Sequence, residues 1–465
     1  MKTRTKIFID RLVGLPLAWA LNLGARVLGR VLRRNHDVTP GNVRTIVVSK
    51  YLGMGSILQA TPLIRSIRVA FPDAKIIFLT TRGCRRMVER LEHVDEVMTI
   101  DDGGLFGLVR TTLRVIAQLI GKRVDLFFDL ELYSAYASVV SLLSLSRNRI
   151  GFYRESAQHK LGNYTHLMYF NVRSPIRYIY LQLGILMGCK PVEPDRLGRI
   201  RIDPADREEV AVKLAAAGVG PVGYLVVNPN ASDLMIERRW PADRFAELIG
   251  DLVARHDRPV ILIGAPNERP YVTALAGRIT GASGRVVNLA GELSLGGLFA
   301  LLEGTECLVT NDTGPMHMAW ALGAPTVGLF GPVHPCHYGW AGPGSEILYK
   351  PLYCSPCVHE VDEPPCRGNN ICMQRISVDE VLSAVGRVLN APDADHRVAA
   401  DMSYFIDPTW GPLGRVIRGS IEEAHLKGGD LWRPLLDAPD PGLPAPTGDT
   451  PAPRPLVGVK GEAVP

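Results

Sequence analysis

The stretch CLVTNDTGPMHMAWALG, residues 307–323, combines a strand, a tight turn and a helix. Its apolar run stops at Asn311-Asp312, a Thr-Gly-Pro turn follows, and an apolar segment of helical period completes it. Pro315 suits the first helical position, because its missing N–H has no intrahelical partner there. The free amides and the positive end of such a helix suit a phosphate or pyrophosphate, to which His317 adds a donor. An ordinary capped helix is the alternative.

Strand-like apolar runs alternate with helical patterns along most of the chain. The first series of runs lies at 44–49, 75–80, 94–100, 124–130 and 149–153, and the second at 223–228, 259–264, 286–290, 307–311 and 326–330. Apolar strands that alternate with helices predict parallel sheets covered on both faces. The fold class is therefore α/β, with two doubly wound, Rossmann-like domains. Ligands of such sheets bind at the carboxyl ends of the strands, so the domains are expected to face each other across a cleft.

The chain divides into five predicted segments. They are an N-terminal membrane-interface segment (1–42), a first Rossmann-like domain (43–205), a second one (206–390), a C-terminal extension (391–434) and a disordered Pro- and Gly-rich tail (435–465). The tail has few apolar anchors, a composition typical of disorder. The net charge of +5 is small for 465 residues. No run of Lys and Arg interleaved with aromatics appears, so we expect no nucleic-acid partner.

The N-terminal segment predicts contact with a membrane surface. Its apolar stretch, residues 12–25, has 14 residues, fewer than the roughly 20 that cross a bilayer. Arginines at positions 11, 26, 30, 33 and 34 flank this stretch, and Phe8 and Trp19 accompany it. This pattern suits a segment that lies in the interface of an anionic leaflet. The alternative is a helix packed on the core of the protein itself.

The first strand continues into KYLGMGSILQATPLIRSIR, residues 50–68. Gly53 and Gly55 allow a tight turn and the close approach of a ligand. Two features argue against a dinucleotide-binding fold: Leu58 replaces the third glycine of G-x-G-x-x-G, and the second strand ends in two threonines without an acid for a ribose. We therefore expect no nicotinamide cofactor.

The second series opens with VVNPNASDLMIERRWPADRFAEL, residues 226–248. Its strand ends in a polar loop that contains Asn230 and Ser232. Arg238 and Arg239 follow, just before the next helix. Two guanidiniums at the carboxyl end of a strand suit a diphosphate, to which arginine makes bidentate bonds. A solvated basic turn is the alternative.

These blocks resemble glycosyltransferase family 9, the ADP-heptose:lipopolysaccharide heptosyltransferases and their relatives. The resemblance covers about residues 43–390 and is most specific in NDTGPMH…ALG.P…LFGP; LGMGSILQATPLIRSIRVAFPDA, NPNAS…RRWPADRFAEL and CSPC…CRGNNICMQRISVDEV support it. It implies a GT-B fold and an inverting transfer without a metal or cofactor. It also implies a cytoplasmic enzyme, peripheral on the inner face of the inner membrane. Such an enzyme moves a sugar from a nucleotide-diphospho-sugar to a lipid-linked saccharide.

The resemblance also implies roles for single residues of the second domain, which becomes the donor domain. Asp312, Thr313, Gly314 and His317 fall to the donor pyrophosphate and the sugar beside it. Arg238 stands where the family usually has a lysine that stabilises the leaving diphosphate, so the charge is kept and the geometry is not.

Glu268 follows the next strand, in ILIGAPNERPYV, residues 261–272. A carboxylate at this place suits the ribose hydroxyls of a nucleotide, and the resemblance gives it the same role. The alternative is an exposed glutamate in a first helical turn, where the helix dipole favours it.

Ser56 departs from the family pattern. After the first strand the family pattern ends in Gly-Asp, with the aspartate as catalytic base, whereas this chain has Gly55-Ser56. A serine is no base near neutral pH unless another group activates it. Glu131 and Asp129, at the end of the strand VDLFFDLEL, are expected to face the same cleft of the acceptor domain. Glu131 lies further out of the sheet and is the predicted base, with Asp129 second; the alternative is that both are structural.

Four clustered cysteines, Cys354, Cys357, Cys366 and Cys372, have a spacing that suits a tetrahedral zinc ion. Reduced thiols packed in a loop are the alternative, and disulfides are not expected in a reducing cytoplasm. The predicted function is an inverting transfer of heptose or a similar sugar to a cell-envelope saccharide such as the lipopolysaccharide core. Two alternatives are a catalytically silent member that binds a nucleotide-sugar or glycan, and a nucleotide-sugar epimerase of the same fold.

Overall fold

The computed structural model describes residues 3–32, 36, 38–172, 174–231, 235–256, 258–280, 284–339, 344–350, 352–358, 360–361 and 364–390. The predicted C-terminal extension and tail, residues 391–465, lie outside these ranges, and so does Ser232.

The first half of the chain forms a parallel sheet of six strands in the order β3-β2-β1-β4-β5-β6. Its strands are β1 (Thr45–Ser49), β2 (Lys75–Thr81), β3 (Glu96–Ile100), β4 (Leu126–Asp129), β5 (Asn148–Tyr153) and β6 (His166–Tyr169). The chain winds outward from β1 to β3 and then returns to β4, so the strand order reverses beside β1. Ser49 pairs with Leu79 on one side and with Asp129 on the other, and the three central strands end at one edge.

The second half repeats this plan with the order β12-β11-β10-β7-β8-β9. Its strands are β7 (Leu225–Asn228), β8 (Val260–Leu262), β9 (Val286–Asn288), β10 (Cys307–Asn311), β11 (Thr326–Phe330) and β12 (Ser345–Tyr349). The predicted α/β fold with two doubly wound parallel sheets is confirmed. The edge strands β6 and β12 were not predicted, because short runs at a sheet edge carry little apolar signal.

Helices cover both faces of both sheets. They are α1 (Thr3–Ile9), α2 (Leu15–Leu32), α3 (Met54–Gln59), α4 (Thr61–Ala70), α5 (Arg85–Val88), α6 (Leu105–Lys122), α7 (Ala135–Leu143), α8 (Ile176–Leu186), α9 (Pro204–Ala216), α10 (Ala242–Arg255), α11 (Arg269–Ala276), α12 (Leu295–Glu303), α13 (Gly314–Leu322), α14 (Pro335–Tyr338), α15 (Ile371–Gln374) and α16 (Val378–Asn390). The pattern at 56–71 predicted one helix, but the chain breaks it at Ala60 into α3 and α4. Pro62 explains the break, since a proline without an N–H is tolerated in the first turn of a new helix.

The alternating side chains of β1 separate two apolar layers in the first domain. Ile46 and Val48 pack in the layer that α4 and α8 cover, whereas Val47 packs in the layer that α6 and α7 cover. The α4 layer continues without interruption into the second domain, where it includes Met316 and Trp320 of α13. This shared core places α3, after β1, directly against α13, after β10.

The N-terminal segment is a single helical rod. A π-helical turn, Asp10–Gly14, joins α1 to α2. The apolar part, Thr5–Ala25, is 21 residues long with a mean hydropathy of 1.3, and by length and composition it is able to cross a membrane. The prediction that the segment is too short to cross was therefore wrong, because the helix extends beyond its most apolar run. Only 11% of this part is buried against the protein.

Candidate active site

Two strand-to-helix turns, one from each domain, meet at the carboxyl ends of β1 and β10. A Cβ placed on Gly55 of α3 would overlap the ring of His317 in α13 and approach its Nε2 to 2.9 Å. Gln59, one turn further along α3, places its side-chain nitrogen 3.2 Å from His317 Nδ1. The absence of a side chain at position 55 is therefore what allows the imidazole to reach the first domain. Gly53 caps α3 with a φ of 85°, a backbone conformation that glycine adopts without strain.

His317 shares a buried polar cluster with Asp312 and Arg238. One terminal nitrogen of Arg238 lies 3.4 Å from Asp312 Oδ2 and donates to the Asp312 carbonyl oxygen at 3.3 Å. His317 Nε2 lies 3.9 Å from Asp312 Oδ1. Burial lowers the pKa of His317 to about 4; Asp312 opposes this shift and Arg238 adds to it. The imidazole is therefore neutral near pH 7, and its Nδ1 faces the side-chain amide of Gln59.

This cluster contains buried polar atoms whose bonding is incomplete. Asp312 Oδ2 and Arg238 Nε have no hydrogen-bond partner among the residues that the structure describes. Buried polar groups of folded proteins are nearly always satisfied, so such atoms mark places where a ligand or ordered water completes the bonding. Asp312 and Arg238 form an ion pair at the start of a helix, and its remaining hydrogen-bonding capacity suits a ligand that carries hydroxyl and phosphate groups.

Hydrogen bonds from side-chain amides fix the turn between β10 and α13. Asn228 donates to the hydroxyls of Thr310 and Thr313 at 3.0 and 2.9 Å. The Thr313 hydroxyl also donates to the Asn311 carbonyl at 3.2 Å, so it fixes the turn and does not cap the helix. Asn230 donates to Asn228 and to the Ile263 carbonyl. Gly314 begins α13, which places Pro315 second in the helix and not first as predicted.

The other predicted donor-side residues occupy different positions. The guanidinium of Arg239 stacks 4.1 Å above the ring of Tyr271 and donates to the Ala231 carbonyl. Arg238 and Arg239 therefore diverge, and Arg238 alone of the two contacts Asp312. Glu268 accepts a 2.7 Å hydrogen bond from the Ala265 amide and so caps its own short helix.

Four residues that the sequence patterns did not indicate lie where the domains meet, three from the first domain and Tyr338 from α14 of the second. Lys50, directly after β1, is nearly buried, and Tyr180 of α8 is buried close to the Ser56 hydroxyl. Tyr338 lies close enough to Lys50, Asp312 and Arg238 for their charges to act on its phenol, whose pKa is raised chiefly by burial. Gln59 is the fourth. A charged residue at the end of a central strand was a usable signal for Lys50, but Tyr180 and Tyr338 come from distant segments.

Glu131, the predicted base, is engaged by three donors. Lys50 Nζ lies 2.7 Å from Oε2, and the amides of Tyr51 and Leu52 donate to Oε1 at 2.8 and 3.2 Å. Burial alone would raise the pKa of Glu131, but Lys50 and these amides together lower it below its usual value. The carboxylate is therefore ionised near pH 7, and it also orders the loop that leads into α3.

Asp129, the second candidate, lies one layer deeper. Its side chain and that of Lys160 are fully inaccessible, with Lys160 Nζ 3.1 Å from Oδ2. Ser49 and the Glu131 amide donate to Oδ1, and the Tyr164 hydroxyl donates to Oδ2. A carboxylate enclosed by these donors is out of reach of an acceptor hydroxyl. The arrangement corrects the expectation that Asp129 faces the cleft, and it favours the structural alternative for this residue.

Two of the four clustered cysteines, Cys357 and Cys372, have raised thiol pKa values. Burial raises the pKa of Cys372 to about 11, and burial with the nearby Cys366 and Cys354 raises that of Cys357. Within the described ranges, no group of three or more His, Cys, Asp or Glu side chains is arranged to hold a metal ion. These two thiols are therefore protonated near pH 7.

Two doubly wound parallel-sheet domains that meet at the carboxyl ends of their strands have the architecture of a GT-B fold. The model of Glycosyltransferase family 9 (heptosyltransferase) matches residues 112–366, and the chain belongs to this family. The matched range contains Glu131, Arg238, Asp312 and His317, whereas Ser56 lies before it.

Curated relatives and solved structures agree with this assignment. Lipopolysaccharide heptosyltransferase 3 of Escherichia coli K12 is 24% identical over 358 residues, which cover 73% of this chain and 97% of that protein. Lipopolysaccharide heptosyltransferase 2 of the same strain is 24% identical over 288 residues, 61% of this chain and 81% of that protein. The structure of E. coli ADP-heptose lps heptosyltransferase II superposes with a TM-score of 0.61 at 19% identity, over 76% of this chain and 100% of that one. At this identity the superposition establishes the shared GT-B fold.

Three buried histidines make stability depend on pH. Burial lowers the pKa values of His159, His317 and His337 to about 4, from 6.5 in a free side chain. Between these values the unfolded chain binds more protons than the folded one. Their contribution is complete above pH 6.5 and is lost as the pH falls toward 4. From pH 6.5 to 5 we expect the free energy of unfolding to fall by about 2 kcal/mol for each histidine.

Urea denaturation at pH steps between 6.5 and 5 measures this loss, in a range that avoids most carboxylate titration. His337→Asn keeps a donor for the Ser174 carbonyl, which lies 2.6 Å from Nδ1, and should reduce the pH dependence by about one histidine. A free energy of unfolding that stays constant over this range would contradict the assignment of neutral buried imidazoles.

Proposed function

We propose that the protein is an inverting glycosyltransferase that moves heptose or a similar sugar from a nucleotide-diphospho-sugar to a lipid-linked cell-envelope saccharide such as the lipopolysaccharide core. Membership in the family supports sugar transfer, and the names of the relatives support ADP-heptose as the first donor to test. We also infer that the enzyme works in the cytoplasm, peripheral on the inner face of the inner membrane.

One observation carries the donor site. Asp312 Oδ2 and Arg238 Nε are buried and incompletely bonded at the N-terminus of α13, opposite Gly55 and Ser56. Arg238 and the helix amides supply positive charge where a leaving diphosphate accumulates negative charge. Neutral His317 presents its Nε2 in the same place. Asp312 accepts from a hydroxyl of the sugar.

The first prediction concerns binding of the diphosphate product. Asp312→Ala and His317→Ala should each weaken ADP binding by about 1–3 kcal/mol, the range for removing a buried or charged hydrogen-bond partner. Titration calorimetry with ADP measures the change in affinity, and the same titration with UDP tests which nucleotide base is preferred. Asp243→Ala, an exposed aspartate of the same domain paired with Arg278, is the matched control and should bind as the wild type does. If both site variants bind ADP with wild-type affinity, the assignment of the donor site is wrong.

Transfer itself needs one proton to leave the acceptor. The acceptor oxygen forms a bond to the anomeric carbon, the bond from that carbon to the diphosphate breaks, and the proton passes to a base. We propose Glu131 as this base, because it is ionised and lies at the carboxyl end of the first sheet beside the Ser56 turn. Its lowered pKa weakens it as a base, so we place its contribution toward the lower end of about 10²–10⁴ in rate.

The second prediction separates a base from a residue that only orders the loop. Glu131→Gln removes basicity, whereas Lys50→Met removes the ion pair and leaves the carboxylate with its two amide donors. If Glu131 is the base, the first variant should lose about 10²-fold or more in kcat and the second much less. An equal loss in both would assign the pair a positioning role. Ser56→Ala should be mild in either case, since Ser56 then only positions a hydroxyl or a water.

A catalytically silent member is the second candidate, and Ser56 favours it together with the occupied carboxylate of Glu131. The transfer assay includes Ser56→Asp for this reason. Activity that is absent in the wild type and appears in Ser56→Asp would establish a silenced transferase. Activity in the wild type would exclude this alternative.

A further inference from the structure

The first domain exposes apolar side chains on two long helices that the sugar-transfer site does not use. Along the N-terminal helix, which comprises α1, the π-helical turn and α2, the exposed residues include Phe8, Leu12, Trp19, Leu23 and Val27, and Leu23 is 68% exposed. A soluble monomer rarely leaves a contiguous apolar patch of this kind uncovered unless the patch binds a partner or a membrane.

The N-terminal helix is fixed lengthwise to the domain by polar contacts. Lys6 forms an ion pair with Asp102 near its start. Asp10 accepts from two amides in the first turn of α7, at 3.0 and 2.7 Å. Asn22 donates to the His159 carbonyl at 3.2 Å. These contacts span 16 residues, or about 24 Å of helix, so one face of the helix lies along the protein and its apolar remainder faces outward.

Helix α6 presents a second apolar face. Leu105, Phe106, Val109, Leu113 and Ile120 are exposed, with Phe106 80% and Leu113 63% exposed. At 100° per residue they fall within an arc of about 100°. The core side of α6 is a different face, which packs in the apolar layer beneath.

Helix α7 places these two faces on the same side of the molecule. Ala18 of α2 packs against Ala135 and Val139 of α7. On the α6 side, the hydroxyls of Thr112 and Tyr136 lie 2.6 Å apart. The N-terminal helix and α6 therefore flank α7 over one face of the first sheet. Since α6 follows β3, its first turns lie at the edge where β1 ends and Ser56 begins the site.

The charge of both helices complements an anionic surface. Residues 1–34 contain eight Lys and Arg and a single acid, Asp10, which is engaged at the start of α7. Helix α6 contains Arg110, Arg114 and Lys122 and no acid. Arg110 and Arg114 are exposed and border the apolar arc. Basic residues beside an apolar helix face are the combination that binds anionic lipid interfaces.

We propose that the N-terminal helix and α6 form one docking surface that lies flat on an anionic bilayer without crossing it. This proposal rests on the proposed function, which places the protein on the membrane, and it names the surface that makes the contact. It extends that contact from the N-terminal segment to the body of the domain and sets the Ser56 edge at the membrane. A lipid-linked acceptor in the bilayer then reaches the cleft without leaving its leaflet.

Flotation with vesicles tests the surface, using the full chain without donor or acceptor. Vesicles of phosphatidylcholine and phosphatidylglycerol are compared with phosphatidylcholine alone. Phe106→Ser combined with Leu113→Ser should lower the partition coefficient by roughly tenfold or more. Arg110→Glu combined with Arg114→Glu should lower it only on the anionic vesicles. The matched control is Val69→Ser with Val222→Ser, two apolar residues that are 61% and 70% exposed elsewhere, and it should float as the wild type does.

Several outcomes would overturn the proposal. If the Phe106–Leu113 double variant floats as the wild type does, α6 is not part of the docking surface. A wild type that fails to float would remove the surface altogether. Protection of an N-terminal tag inside the vesicle lumen would show that the helix crosses the bilayer. Because the assay contains no sugar substrate, these outcomes leave the transferase proposal standing, and an inactive protein that floats would leave the surface standing.

Discussion

Everything at the candidate active site depends on a single steric constraint: residue 55 carries no side chain. The His317 imidazole occupies the space where a Cβ would lie and contacts Gln59 one turn further on. This contact joins the helix after the central strand of one sheet to the helix after the corresponding strand of the other. The cluster of Asp312 and Arg238 is thereby held opposite the Ser56 turn, and the buried imidazole stays neutral.

Asp129 and Glu131 are two residues apart in sequence, but their surroundings differ because only Asp129 lies within the strand. Asp129 ends β4 inside the sheet layer, where Lys160 and Tyr164 enclose it. Glu131 lies beyond the strand end, where Lys50 and two loop amides hold it at the rim. A buried ion pair such as Asp129–Lys160 is costly to break, since either partner left alone is an unpaired buried charge. Asp129 therefore stabilises the carboxyl edge of the first sheet.

The sequence was sufficient to predict the parts of this protein that local patterns determine. Ten of the strands follow from apolar runs, and the strand-turn-helix at Asp312 follows from its turn chemistry. Patterns did not predict contacts between distant segments. The pairing of Lys50 with Glu131, the approach of Tyr338 to Arg238 and the divergence of Arg238 from Arg239 all depend on tertiary packing. The sequence analysis also underestimated the length of the N-terminal helix, because a helix continues beyond its most apolar run.

A double-mutant cycle at the contact between the domains tests whether the missing side chain at position 55 positions His317. Gly55→Ala, His317→Ala and the double variant are compared by the affinity for ADP. We expect Gly55→Ala to weaken ADP binding, because the new methyl displaces the imidazole, an overpacking that costs about 1–3 kcal/mol. In the His317→Ala background the same methyl meets no ring and should cost almost nothing, which gives a coupling energy of roughly 1 kcal/mol or more. Additive losses in the double variant would show that position 55 does not act through His317. A Gly55→Ala protein that binds ADP as tightly as the wild type would show the same.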